Sequence, residues 1–380
     1  MRTLTTVEAV DGVTATIEGR RLVLWCTNDY LGLSQHPRLI QAASEAARRW
    51  GVGARASRLL AGSTALHRQL EERLASFFHA EAAAAFPSGY LANLGILGAL
   101  LSSDDIVFID RLAHASLIDA CRLSRARLRV FRHNDTGHVS TLLKRTATAR
   151  PTGGYHRRVV VTEGVFSMEG DRAPLKELLG VTRREGALLY VDDAHGAFAT
   201  GATGRGTPEV EGLVRHTASA DRHEPMIYMA TLGKALGCQG GFVAGSSSLI
   251  RLIQNRARSF IYETAQSPPV VAAACEALDV IEQEPSHREA LARNVERIHQ
   301  GLRKASDTFT HIVPIVVGTS RRARELSASL FEQGIFAPAI RPPTVPEGTA
   351  RLRLSVTALH TEEQIDHLAH VLRQAVSRIS

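Results

Sequence analysis

The chain has 380 residues, of which 44% are hydrophobic, so it can bury a large core and is long enough for two domains. Its formal net charge is +7, but the basic residues are scattered and no nucleic-acid-binding module is present, which argues against a nucleic-acid partner. No apolar run is long enough to cross a bilayer, and no signal pattern opens the chain, so we expect a cytoplasmic protein without a membrane partner. The four cysteines are far apart, which predicts neither a disulfide framework nor a metal site.

The first clear element is an amphipathic helix, because Leu66, Leu70, Leu74 and Phe78 recur at every fourth position. Thr64 suits its N-cap. Helices are also predicted over residues 269–282, onward to about residue 305, and over 362–378, with strands at 312–317 and 352–356. We therefore predict an N-terminal arm over 1–30, a large domain over 31–270 and a small α/β domain over 271–380.

In the middle of the chain, short apolar runs with strand character end at polar residues. The runs cover 158–162 before Glu163, 187–191 before Asp192 and 226–230 before Thr231, and another follows at 242–244. Strands that alternate with helices predict a mostly parallel sheet covered by helices. Ligands bind such sheets at the carboxyl ends of the strands, so these polar residues are expected to meet at one crevice.

Lys234 is the lysine best placed for chemistry. Lys144, Lys176 and Lys304 lie in amphipathic helical contexts and are expected to be solvated. Lys234 instead follows an apolar strand in the sequence TLGKALG over 231–237, where glycines flank it and Thr231 offers a hydroxyl. The cofactor pyridoxal 5′-phosphate (PLP) requires an amine beside a phosphate-binding loop, and Lys234 fits this requirement. The alternative interpretation of Lys234 is an ordinary solvated lysine in a loop.

Asp192 offers the second group that PLP requires. It ends an apolar strand, where a carboxylate is costly unless it is paired, and a protonated pyridinium nitrogen would be such a partner. His195 lies three residues later and could face the same crevice. Alone, this D-x-x-H pattern is weak evidence for a PLP site, because Asp193 and His195 could simply cap a turn. Together with Lys234 downstream, it indicates a PLP enzyme.

The chain resembles the α-oxoamine synthases, which are PLP enzymes of the aspartate-aminotransferase-like fold, also called fold type I. The resemblance covers nearly the whole chain and includes the segments around Asp192 and Lys234. Its other motifs are NDYLGL (28–33), SRLLAG (57–62), SGYLAN (88–93), DRLAHAS (110–116) and TEGVFSMEGD (162–171).

The resemblance implies a role for each residue near the cofactor ring. Lys234 would carry the cofactor as a Schiff base and later move the Cα proton. His114 would stack on the ring and contact the substrate carboxylate, and Asp192 would hold the ring nitrogen. Ser167 and His195 would lie near the ring hydroxyl.

The resemblance also implies how the phosphate is held. Gly89 and Tyr90 would frame the phosphate together with Thr231. Thr264 would reach the phosphate of the partner subunit, because the active sites of the family lie at the interface of a homodimer.

Segment 340–353, IRPPTVPEGTARLR, most resembles the family members that join L-alanine to a pimeloyl thioester in biotin synthesis, releasing CO2 and the thiol. The acyl carrier would be coenzyme A or an acyl-carrier protein. Asn28, Thr344 and Arg353 would face the substrate, and Arg2 is the early arginine available for a further contact. The alternatives are another member of the family, such as a glycine C-acetyltransferase, and a non-catalytic protein of the same fold.

Overall fold

The structure, a computed structural model, describes residues 4–147, 155–213, 226–303 and 310–379. A 3-10 helix covers Leu33–Gln35 and a π-helix covers Arg58–Gly62. The strands are β1 (Ala9–Asp11), β2 (Thr14–Ile17), β3 (Arg20–Leu24), β4 (Ala82–Phe86), β5 (Ile106–Asp110), β6 (Arg127–Phe131), β7 (Arg158–Glu163), β8 (Leu188–Asp192), β9 (Met226–Thr231), β10 (Gly241–Gly245), β11 (Ile312–Gly318), β12 (Ile335–Phe336), β13 (Ala339–Ile340) and β14 (Ala350–Ser355). The helices are α1 (Pro37–Trp50), α2 (Ala65–Phe77), α3 (Gly89–Leu100), α4 (Ala115–Leu123), α5 (Thr136–Ala147), α6 (Leu175–Arg184), α7 (Thr207–Val210), α8 (Ser247–Arg256), α9 (Arg258–Ile261), α10 (Pro268–Gln283), α11 (Ser286–Gly301), α12 (Ser320–Glu332) and α13 (Glu362–Ile379).

Two compact units divide the chain. The larger unit consists of His36–Phe166 and Arg172–Gln283, and the smaller unit consists of Met1–Gln35, Ser167–Asp171 and Glu284–Ser380. This grouping places the first 35 residues with the C-terminal part of the chain and places α10 in the larger unit. The domain boundaries at residues 30 and 270 stay a prediction.

The larger unit is built on a seven-stranded sheet with the order β4-β10-β9-β8-β7-β5-β6. Neighbours from β9 to β6 are parallel, whereas β10 is antiparallel to both β9 and β4. The mostly parallel, helix-covered sheet predicted from the sequence is therefore confirmed. Its predicted strands correspond to β7, β8, β9 and β10, and α2 begins directly after its N-cap Thr64.

Helices cover both faces of this sheet, which explains why its central strands are apolar throughout. Every residue of β5 and nearly every residue of β7 is buried. One apolar cluster joins α3, α4 and α8 to the strands, and a second joins α5 and α6 to them. The alanine run at 82–85 forms most of β4, and its small side chains are nearly all buried.

The smaller unit contains two sheets. One has the order β11-β14-β13, and the other has the order β1-β2-β3-β12, in which β12 is parallel to β3. The strands predicted at 312–317 and 352–356 correspond to β11 and β14, and the final predicted helix corresponds to α13. Among the described residues, no helix combines the length and apolar character needed to cross a membrane.

Candidate active site

Polar side chains cluster at the carboxyl ends of three neighbouring parallel strands in the larger unit. Glu163 ends β7, Asp192 ends β8 and Thr231 ends β9, and all three are buried. Glu163 lies directly opposite Asp192 in the strand register. The crevice expected at this edge of the sheet is therefore lined by two carboxylates and a hydroxyl, and the loop that carries Lys234 follows immediately.

Lys234 lies in the loop between β9 and β10. The loop closes on itself through backbone hydrogen bonds from Leu232 N–H to the Gly240 carbonyl (2.9 Å) and from Cys238 N–H to the Leu232 carbonyl (3.0 Å). The Lys234 Nζ atom is 2.8 Å from Nε2 of His195, so the structure brings these two predicted residues together. Lys144 and Lys176 are exposed, and Lys304 lies outside the described residues.

Asp192 is held by two hydrogen-bond donors. The Asn93 amide donates to Oδ2 (2.7 Å), and the Ala194 backbone N–H donates to Oδ1 (3.0 Å). Asn93 lies on α3, is itself buried, and accepts a hydrogen bond from the Tyr190 hydroxyl (2.7 Å). Both oxygens of the Asp192 carboxylate therefore accept a hydrogen bond. Our sequence prediction assigned no role to Asn93 or Tyr190, although Asn93 falls within the SGYLAN motif.

His114 is the N-cap of α4, and its Nδ1 atom lies 2.8 Å from the Ser116 hydroxyl. The His114 backbone N–H donates to Glu163 (2.7 Å), which ties the start of α4 to the end of β7. Desolvation lowers the pKa of His114 and Lys234 adds to this effect, whereas Asp192 and Asp119 oppose it. The surroundings therefore favour a neutral imidazole at this edge of the sheet.

The start of α3 has the features of an anion site. Ser88 caps this helix by accepting the Leu91 N–H (3.1 Å), and Gly89 is its first residue. A Cβ atom on Gly241 would lie only 2.7 Å from the Gly89 Cα, so the close approach of β10 to this helix requires glycine. The Thr231 side chain lies beside Gly89, and free N–H groups at a helix N-terminus next to a hydroxyl favour phosphate.

Two further residues predicted at the phosphate lie at the surface of the larger unit. Tyr90 is 44% exposed and donates a hydrogen bond to Asp119 (2.6 Å), which raises the pKa of the Tyr90 hydroxyl. Thr264 is also exposed and pairs with Ser57 in an isolated β-bridge.

Three of the residues predicted to face the substrate belong to the smaller unit, namely Asn28, Thr344 and Arg353. Buried Arg353 donates from Nη1 to Asn28 Oδ1 (3.4 Å) and from Nε to the Ser167 carbonyl (2.5 Å), so these three predicted residues lie together. Thr344 lines an open cavity of about 620 Å³. Arg2 lies outside the described residues.

Comparison with known proteins identifies the family. The sequence matches the family described as aminotransferase class I and II over residues 20–372. The chain belongs to this family. Proteins of similar sequence include the 8-amino-7-oxononanoate synthase of Geobacter metallireducens, which is 46% identical over 96% of this chain and 91% of its own length. The synthase of the same name from Chromobacterium violaceum is 44% identical over 98% of this chain and 94% of its own.

Solved structures of similar fold include enzymes of two different names. A serine palmitoyltransferase from S. paucimobilis with a bound PLP-myriocin aldimine has a TM-score of 0.91 and 30% identity, covering 99% of this chain and 93% of its own. An 8-amino-7-oxononanoate synthase from Francisella tularensis has a TM-score of 0.77 and 28% identity, covering 94% of this chain and 98% of its own. Both likenesses agree with the fold type I prediction.

Asp193, which follows Asp192 at the end of β8, is fully buried. Its carboxylate accepts hydrogen bonds from the Thr207 N–H (2.8 Å), the Thr207 hydroxyl (2.7 Å) and the Tyr228 hydroxyl (3.0 Å). A Cβ atom on Gly164, Gly196 or Gly206 would lie about 2 Å from a carboxylate oxygen, so glycines surround it. Burial raises the pKa of Asp193 to about 7.

Replacing Asp193 with Asn is expected to remove a pH dependence of stability. Because the pKa of Asp193 rises from 3.8 unfolded to about 7 folded, the folded protein keeps a proton that the unfolded chain releases. Stability is therefore lost as the pH rises through this window, by about 2–3 kcal/mol between about pH 5 and pH 8. Asn keeps the shape of the side chain. It also keeps the hydrogen bonds if the Thr207 hydroxyl rotates, so that its oxygen accepts a hydrogen bond from the amide NH2 group.

Denaturant unfolding at several pH values checks this expectation. Between about pH 5 and pH 8, the free energy of unfolding should change by about 2–3 kcal/mol less in Asp193→Asn than in the unmodified protein. Exposed Asp104 offers the control, since Asp104→Asn should retain the full dependence. Parallel curves for Asp193→Asn and the unmodified protein would contradict the assignment.

Proposed function

We propose that the protein is an 8-amino-7-oxononanoate synthase, a PLP-dependent C-acyltransferase of biotin biosynthesis. It would condense L-alanine with a pimeloyl thioester, carried by coenzyme A or an acyl-carrier protein, and release CO2 and the thiol. The observation that carries the proposal is 43–46% identity over 96–99% of the chain to relatives of this name. The cluster around Lys234 and Asp192 supplies the chemistry that such an activity needs.

The residues of the larger unit fit PLP. Lys234 is the amine for its aldehyde, and buried Asp192 is the anion for its ring nitrogen. The start of α3 at Gly89, together with Thr231, suits its phosphate. When bound, PLP withdraws electrons from the Cα atom of an amino acid, which makes the Cα proton removable. His114 would pack on the ring, and His195 would lie near its hydroxyl. Ser167 belongs to the smaller unit and is proposed for the same hydroxyl because of the family resemblance.

Each residue then has a defined task. Lys234, once its amine is free, would take the proton from the alanine Cα atom and later return one to the product. His195, whose Nε2 atom is 2.8 Å from Nζ, would orient the lysine amine. The Asp192 carboxylate would pair with the opposing ring nitrogen and keep that nitrogen protonated. The residues proposed to face the substrate are Asn28, Thr344, Arg353 and Arg2.

Serine palmitoyltransferase is the second candidate, because solved structures of that name have the higher TM-scores. TM-scores describe the backbone, and the sister activities of one family can share it. The identity to those structures is 30–31%, whereas the relatives named 8-amino-7-oxononanoate synthase reach 46%. Sequence similarity therefore favours the first candidate.

A substrate panel tests the choice. CO2 release would be measured with alanine, glycine and serine, each against acetyl, succinyl, pimeloyl and palmitoyl thioesters. We expect turnover to be highest for alanine with the pimeloyl thioester. One methyl group contributes only about 1–3 kcal/mol to discrimination, so glycine should react about 10–200-fold more slowly. A preference for serine with the palmitoyl donor would move the protein to the second candidate, and a preference for glycine would indicate another sister activity.

We also propose that the protein is a homodimer in which Thr264 reaches the phosphate of the partner subunit. Apolar side chains are unusually exposed near Thr264: Leu60 is 80% exposed, Val52 is 78% exposed and Tyr262 is 71% exposed. The bridge between Ser57 and Thr264 holds the two segments next to each other. Exposed apolar side chains on neighbouring segments indicate a surface that a second protein covers, and a second copy is the simplest occupant.

Sedimentation of a charged variant tests the dimer. The unmodified protein should sediment as a dimer, and Leu60→Glu should shift it toward monomer because a buried, unpaired charge at the interface is costly. Leu123 at the end of α4 is 72% exposed, and Leu123→Glu serves as the matched control that should leave the mass unchanged. A fully active unmodified monomer would contradict the proposal.

A cytoplasmic location is part of the same proposal. Within the described residues, none of the four cysteines forms a disulfide. Cysteines outside disulfides are typical of proteins in a reducing compartment. Alkylation in denaturant after anaerobic lysis, without prior reduction, should label all four thiols, whereas a cysteine in a disulfide would stay unlabelled.

A further inference from the structure

A continuous chain of hydrogen bonds joins the Asp192 carboxylate to the His114 ring. The Asn93 side-chain nitrogen is 2.7 Å from Asp192 Oδ2 and 2.8 Å from the Ser116 hydroxyl oxygen. That oxygen is in turn 2.8 Å from His114 Nδ1. Asn93 and Ser116 are each 1% exposed, so water does not compete for these bonds.

The direction of each bond follows from the groups that can donate. The Asn93 NH2 group donates to Asp192 Oδ2, since a carboxylate oxygen accepts. The Asn93 carbonyl then faces Tyr190, whose hydroxyl donates to it (2.7 Å). Because the amide nitrogen carries two protons, the second one is donated to Ser116 Oγ.

The Ser116 hydroxyl is the donor in its hydrogen bond with His114. Its oxygen accepts from Asn93, so its single proton is available for His114 Nδ1. The Ser116 backbone N–H points at the same nitrogen (3.3 Å). With two donors facing Nδ1, a neutral His114 ring must carry its proton on Nε2.

We propose that Asn93 and Ser116 are positioning residues that hold His114 as its Nε2–H tautomer, so that the ring offers a hydrogen-bond donor to an anionic substrate. Among the described residues, no protein group is hydrogen-bonded to the Nε2 atom of His114, which leaves that proton for a ligand. The identity of the anion, the alanine carboxylate, rests on the proposed function. The tautomer itself follows from the contacts alone.

Long-range 15N–1H NMR of histidine-labelled protein tests the tautomer without any substrate. Spectra would be recorded with and without PLP, and the His114 signals would be assigned by their loss in His114→Gln. We expect the shift of an unprotonated nitrogen for Nδ1 and of a protonated nitrogen for Nε2. A His114 proton on Nδ1 in the unmodified protein overturns the proposal, whatever the function.

Variants test the two positioning residues. In Ser116→Ala and Asn93→Leu the ratio of the Nε2–H to the Nδ1–H tautomer should fall about fivefold to tenfold, which corresponds to one hydrogen bond. Ser116→Thr retains a hydroxyl and should restore the ratio. Ser124→Ala, which removes a hydroxyl bonded to the Cys121 carbonyl at the end of the same helix, should have no effect. A ratio that stays unchanged in both test variants overturns the roles of Asn93 and Ser116.

Alanine binding tests the purpose of the tautomer. The dissociation constant of alanine, followed by the change in cofactor absorbance, should rise about threefold to tenfold in Ser116→Ala and stay unchanged in Ser124→Ala. A shifted tautomer ratio with unchanged alanine affinity would overturn the role toward the substrate while leaving the tautomer assignment intact. If the substrate panel instead selects serine or glycine, the same measurement is made with that amino acid.

Discussion

Borohydride reduction of the PLP-loaded protein, followed by peptide mapping, is expected to place the pyridoxyl group on Lys234. The physical reason is its position: Lys234 is only partly exposed, follows β9 directly and lies 2.8 Å from His195, whereas Lys144 and Lys176 are exposed. Lys234→Arg should keep the positive charge but lose the visible absorbance of the Schiff base. Its turnover should fall by at least about 10²–10⁴-fold, the usual contribution of a positioned general base.

Lys176→Arg is the matched control for this experiment. It makes the same change at an exposed lysine at the start of α6 and should retain both absorbance and turnover. A pyridoxyl label on Lys144, Lys176 or Lys304 would show that the assignment of Lys234 is wrong. Loss of absorbance in Lys234→Arg together with intact folding by circular dichroism would separate chemistry from stability.

The central strands could be predicted from the sequence because they are buried on both faces. The runs at 158–162, 187–191 and 226–230 are continuous apolar stretches, which parallel strands between two helical layers require. The role of the strand ends in binding could also be predicted, because a carboxylate such as Asp192 after an apolar run needs a partner. The polar strand ends therefore indicated where the chemistry would lie before the sheet order was known.

Other strands gave no such pattern. The alanine run at 82–85 fits a helix as well as a strand, and only its pairing with β10 makes it β4. The pairing of β12 with β3 joins residues more than 300 positions apart and has no local pattern. The antiparallel direction of β10 follows from the short connection after β9, since a parallel crossover needs a dozen or more residues.

The supporting residues of the candidate site were harder to predict than the reactive ones. Asn93 and Ser116 lie on two different helices and look like ordinary helix residues until the fold brings them to Asp192 and His114. From the sequence, Asp193 is expected only as a possible turn cap, and it does accept the N–H of Thr207 at the start of α7. Its enclosure by Gly164 and Gly206, which lie more than ten residues away along the chain, is a property of the tertiary structure alone.

Replacing Asp192 with Asn is expected to leave PLP bound but to slow the reaction by about 10²–10⁴-fold. Asn preserves the shape of the side chain and removes its charge, so the pyridinium nitrogen of the cofactor would no longer be held protonated. Breaking one buried, hydrogen-bonded charge pair costs about 3–5 kcal/mol, which sets this magnitude. The phosphate contacts proposed at Gly89 and Thr231 would not involve Asp192, so cofactor retention should persist.

Exchange of the alanine Cα proton with deuterium from the solvent is the sharpest measurement, because it needs no acyl thioester. We expect this exchange to slow in Asp192→Asn as much as the full reaction does, since both depend on removal of the Cα proton. Asp104→Asn, the same change at an exposed site, should exchange at the normal rate. Near-normal exchange in Asp192→Asn, with PLP bound and the fold intact, would show that the charge of Asp192 is not what activates the Cα proton.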